Sequence, residues 1–119
     1  MKIAITTQAE GLGAEVDPRF GRAKGFVIYD TESKEVEFVD NVQNLQAVQG
    51  AGVQSSRNII DSGARVLITG NVGPKAFTAL NSEGIEIYIG ASGTVEQAIE
   101  DYKKGNLKKA EDANVEGHW

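Results

Sequence analysis

The chain has 119 residues, a net charge of −5 and no cysteine. That length favours one domain, and a hydrophobic share of 40% is enough for one core. The acidic balance argues against a broad nucleic-acid-binding face, and the missing thiols exclude disulfides, thiolate nucleophiles and thiolate-held clusters within the chain. No run of about 18 apolar residues marks a membrane span. Met1-Lys2-Ile3 leads straight into a strand without a signal-peptide pattern, so the expected compartment is the cytoplasm.

Residues 3–7 form a short apolar run with β-branched members and read as the first strand. Residues 8–24 follow as a loop that is long for a compact domain, and such loops are usually functional or disordered. It holds Asp17-Pro-Arg-Phe-Gly-Arg22. Either this segment serves a ligand, or Phe20 plugs the core while Asp17-Pro18 shapes a turn. Residues 25–30 and 35–40 read as two strands joined by a turn at 31–34, hence an antiparallel pair.

Residues 41–49 are polar. Gly50-Ala-Gly52 then opens a helix to about Ser62, with Val53, Ile59 and Ile60 as its apolar face. Gly63 supplies a left-handed stop. Val66-Leu-Ile68 is an apolar run typical of a parallel strand covered on both faces. Gly70 and Gly73 bracket the next turn, and Pro74 fits the first helical position. Residues 85–89 repeat the plan, with Gly90 and Gly93 around the turn. Thr94 and Gln97 have the spacing of a capping box. Val95, Ala98, Ile99 and Tyr102 recur at helical spacing, and Gly105 ends that helix. Residues 106–119 are polar and mixed in charge, and read as a C-terminal tail after a single domain at 1–105.

A three-strand meander followed by two strand–helix crossovers predicts an α/β fold with sheet order 3-2-1-4-5 and strand 2 reversed. Chain direction diverges between strands 1 and 4, so the crevice at their carboxyl ends is the expected ligand site. Two strand–Gly-x-x-Gly–helix units bring two helix N-termini to that edge, which suits an anion.

Asp17-x-Arg-Phe-Gly-Arg-Ala23, Gly50-Ala-Gly52 and Gly70-Asn-Val-Gly-Pro-Lys-Ala76, in this order, resemble the dinitrogenase iron–molybdenum cofactor biosynthesis family. The resemblance covers about residues 1–105. It implies a three-layer α/β/α, ribonuclease H-like motif with a five-stranded mixed sheet. It also implies a non-enzymatic, nitrogenase accessory factor-like carrier of an iron–sulfur or iron–molybdenum cluster or its precursor, with a metallocluster assembly protein as partner. Nitrogenase-associated members often carry histidine where this chain has Arg19, and some members offer cysteine. Arginine pairs with a polyanion but does not ligate iron.

The expected binding residues are Arg19, Phe20, Gly21, Arg22, Gly50, Gly52, Gly70, Asn71, Gly73 and Lys75. Arg19, Arg22 and Lys75 supply charge, and the glycines allow close backbone approach. An ion pair with an acidic side chain is the plain alternative for the two arginines. A solvated position is the alternative for Lys75 and also for His118, whose imidazole is otherwise a metal ligand on a terminal arm. A nucleotide or phosphometabolite binder is the second reading, because residues 70–75 have the shape of a phosphate turn. The P-loop and dinucleotide spacings are absent. The third is a metal-dependent nuclease-like enzyme. It needs converging carboxylates, and only Asp17 and Asp40 stand near the edge.

Overall fold

The computed structural model describes residues 1–41 and 51–113. Its strands are β1 (Lys2–Thr7), β2 (Gly25–Asp30), β3 (Val36–Asp40), β4 (Val66–Ile68), β5 (Glu86–Ile89) and β6 (Lys108–Lys109); its helices are α1 (Ala51–Ser62), α2 (Pro74–Ser82) and α3 (Val95–Lys103). They form one mixed sheet of order β3-β2-β1-β4-β5-β6. β1, β4 and β5 are parallel neighbours, whereas β2 runs against both β1 and β3. The expected order of the first five strands is therefore present.

The expected five-stranded sheet is corrected to six strands. β6 lies in the segment that reads as a polar tail and pairs antiparallel with β5, Tyr88 facing Lys109 and Ile89 facing Lys108. Its side chains are exposed lysines, so no apolar alternation announces it. Pairing comes from the backbone, and Ala110 N–H adds a bond to Ile87 O at 2.8 Å. The buried Ala110 then anchors the segment in the core.

Successive strand residues alternate between two apolar clusters. Ala4, Phe26, Ile28, Leu67 and Ile87 join Ile59 of α1 and Ala76 and Leu80 of α2. Ile3, Ile5, Val27, Tyr29, Val66 and Ile68 join Val95, Ala98 and Ile99 of α3. Inner strands buried on both faces explain why they read as unbroken apolar runs. Among the described residues, no helix is long and apolar enough to cross a membrane.

Candidate anion-binding site

The site sits where β1 and β4 release the chain at their carboxyl ends. The loop after β1 does not hang free there. Asp17 N–H donates to Thr6 O at 2.9 Å, and the Thr6 hydroxyl donates to Asp17 O at 2.7 Å. The Thr6 and Thr69 hydroxyls are hydrogen-bonded at 2.9 Å, which ties the ends of β1 and β4 together. All three residues are buried.

One step further out, Arg19 and Asn71 form a parallel bridge. Asn71 donates to Pro18 O through its N–H at 2.8 Å and through Nδ2 at 3.2 Å. Phe20 N–H returns a longer bond to Asn71 O at 3.4 Å. The bridge requires Gly70. A Cβ there would stand 2.7 Å from Pro18 Cα and 2.8 Å from Pro18 O, closer than backbone atoms tolerate. The backbone that Gly70 admits in this structure is thus that of Pro18.

Arg19 and residues 70–75 therefore belong to one rim. Arg19 is half exposed, and its Nε lies 3.6 Å from Oδ1 of Asp17, whose side chain is only 3% exposed. The ion pair that the sequence offers as an alternative for Arg19 is present, with the Arg19 side chain still half exposed. Arg22 closes the 3-10 turn Phe20–Arg22 and is half-buried, with its N–H on Arg19 O at 3.1 Å. Lys75 is exposed in the first turn of α2. Phe20 is fully buried and lies against Phe26 with ring centroids 6.0 Å apart, so its side chain serves the core and fixes the turn that carries Arg22. Gly21 is buried beside it. Gly52 lies in α1, while Gly50 and His118 fall outside the described residues.

The two helix N-termini differ, and the expectation that both offer free amides is corrected. At α3, Val95 N–H donates to Ala14 O at 2.8 Å and Glu96 N–H to Leu12 O at 2.9 Å. Gln97 N–H donates to the Thr94 hydroxyl at 3.1 Å, and Ala98 N–H to Thr94 O. The loop after β1 has filled that terminus with its own carbonyls. Half of the expected capping box is present: the Gln97 amide does not reach back, because Nε2 donates to Asp101 Oδ1 at 3.0 Å. At α2, Gly73 is the N-cap without a side-chain bond and Pro74 has no N–H to offer. Among the described residues, Phe77 N–H is the first in that helix with a backbone acceptor, Gly73 O at 3.0 Å.

Sequence reasoning missed the Thr6–Thr69 contact. Two threonines at the ends of neighbouring parallel strands were its only signal. No three histidine, cysteine, aspartate or glutamate side chains among the described residues gather as a metal-holding group. A groove of about 250 Å³ between α1 and α2, lined by Ser56, Arg57, Ala79 and Glu83 among others, is a separate feature.

Comparison with known proteins completes the picture. The family model described as "Dinitrogenase iron-molybdenum cofactor" matches residues 1–105. The apo form of the orange protein from Desulfovibrio gigas superposes with a TM-score of 0.93 at 42% identity, covering 96% of each chain. A candidate NifB protein from Thermotoga, of the DUF35 family, superposes with a TM-score of 0.84 at 35% identity, covering 98% of each chain. An uncharacterized protein of Methanocaldococcus jannaschii is 29% identical over 113 residues, 93% of this chain and 92% of that one.

Proposed function

We propose, from the premise that this chain belongs to the dinitrogenase iron–molybdenum cofactor family, that it binds and carries a small anionic ligand without transforming it. The Arg19–Asn71 bridge carries this reading. It holds an arginine beside a glycine turn and the N-terminus of α2, whose dipole favours a negative guest. The orange protein's solved form is an apo form, a term that presupposes a group the polypeptide can lack.

The cargo class suggested by the family's description is an iron–sulfur or iron–molybdenum cluster or its precursor, and the partner class a metallocluster assembly protein. The residues fit such a cargo in one sense only. Soft metal ions take thiolate or imidazole ligands, and this chain has no cysteine and a single histidine near its end. Guanidinium, ammonium and amide N–H groups instead recognise the anionic surface of a cargo that arrives already assembled. The same proposal extends to architecture. The two clusters on opposite strand faces support a three-layer α/β/α body with a ribonuclease H-like motif.

The test has two arms. Protein purified without oxygen is assayed for iron, molybdenum and visible absorbance. Separately, isotope-labelled protein is titrated with inorganic phosphate and with molybdate. The expected result is chemical-shift change confined to Arg19, Arg22 and residues 70–77. No change at those amides with either anion, and no metal in the purified protein, defeats the reading.

A further inference from the structure

We propose that Asp17 is a positioning residue that aims the Arg19 guanidinium at the ligand, an inference that rests on the anion-binding reading above. Asp17 is the buried carboxylate of this rim, with its side chain 3% exposed against 51% for Arg19. Oδ1 accepts the Arg19 N–H at 2.9 Å and lies 3.6 Å from Arg19 Nε. The first contact shapes the loop. The second, at ion-pair rather than hydrogen-bond distance, takes the Nε edge of the side chain.

The backbone around the pair is fixed on both sides. Asp17 is pinned to Thr6 by N–H and C=O together. Pro18 O and Phe20 N–H are both bonded to Asn71. Arg19 therefore leaves the backbone from a rigid point, and only its side-chain torsions remain to be set. A carboxylate on the Nε edge sets them and leaves the two Nη groups for a guest. Two parallel N–H donors on one edge match two oxygens of a tetrahedral oxoanion, a geometry that a halide of equal charge cannot use. Asp17 thus selects for oxoanions as well as orienting Arg19.

The charge of Asp17 separates this role from loop shaping, because Asp17→Asn keeps an Oδ1 acceptor for the Arg19 N–H. A buried negative charge near an anion site repels the guest, so its removal by itself tightens binding. Positioning predicts the reverse while Arg19 is present. With inorganic phosphate as probe, Asp17→Asn weakens binding about three- to tenfold in the natural background. In an Arg19→Ala background it leaves binding unchanged or tightens it. Without any ligand, the Arg19 Nε–Hε resonance moves to the position of a free arginine in Asp17→Asn, and denaturant unfolding confirms that the variant folds.

Tighter binding in both backgrounds with an unmoved Nε–Hε resonance overturns the proposal and makes Asp17 a turn-former only. Equal phosphate affinity in Arg19→Ala and the natural protein also overturns it, while the anion-binding reading stands at another part of the rim. Failure of the natural protein to bind phosphate or molybdate overturns the positioning role, and joined to the absence of metal in protein purified without oxygen it defeats that reading as well.

Discussion

The N-termini of α2 and α3 begin from the same sequence plan, a strand, two glycines three apart and a helix, yet the structure treats them in opposite ways. At α3 the loop after β1 supplies Leu12 O and Ala14 O, and Thr94 supplies its hydroxyl, so the first-turn amides are occupied. At α2 the same loop crosses at Asn71, two residues before the N-cap Gly73, and stops short of the helix. Gly73 caps it without a side-chain bond. A helix N-terminus attracts electron-rich groups. One terminus has been satisfied by the chain and the other stands beside Arg19 and Lys75. The lesson is that a shared motif marks an anion-binding capacity, and the neighbouring segment decides whether the protein uses it on itself.

The largest expected effect comes from forcing the loop off the α2 turn. Gly70→Ala places a methyl 2.7 Å from Pro18 Cα, where neither backbone can yield cheaply. A loss of about 2–4 kcal/mol in denaturant unfolding is expected, together with loss of protection at Asn71 and Phe20 amides. Gly93→Ala is the control on the α3 side. Its φ of +78° disfavours a side chain, but the nearest atoms to a Cβ are 3.8 Å away, so the cost is about 1–2 kcal/mol. Equal losses at the two glycines contradict the close approach at Gly70.

A direct contrast follows from hydrogen exchange and titration. The Val95 and Glu96 amides, bonded to the loop, exchange slowly, whereas Lys75 exchanges fast. Saturating phosphate moves the resonances of residues 73–77 and leaves those of residues 95–98 in place. Lys75→Ala weakens phosphate about three- to fivefold, an effect that shrinks with added salt because the side chain is exposed. Shifts at α3 equal to those at α2 erase the distinction between the termini.

Much of the fold is legible in the residues because burial leaves a pattern. Val66-Leu-Ile68 is apolar throughout since both its faces are covered, and Gly63, Gly84 and Gly105 end helices at positive φ. β6 leaves no pattern: a two-residue strand of exposed lysines is defined by what β5 offers it. The site divides in the same way. Asp17 and Arg19 stand two apart, so their pairing can be anticipated, and Pro74 announces the start of α2. The filling of α3 cannot be anticipated, because its acceptors are the main-chain carbonyls of Leu12 and Ala14, a group every residue carries. Gly70 is ambiguous for a related reason. A glycine in a turn signals that some backbone comes close, and only the structure identifies Pro18.

The smallest effect sharpens the contrast from the closed side. Thr94 accepts the Gln97 N–H at 3.1 Å, one of several bonds at the α3 terminus, and the loop carbonyls remain when it is removed. Thr94→Ala therefore costs about 1 kcal/mol or less in denaturant unfolding. Its affinity for phosphate stays that of the natural protein, since the amides of Val95 and Glu96 keep their partners in Ala14 and Leu12. A variant that gained phosphate affinity, with new shifts at residues 95–97, establishes that the hydroxyl rather than the loop keeps anions out of α3. The loop would then be a weaker plug than its two short backbone bonds imply, and the difference between the helices would rest on one side chain.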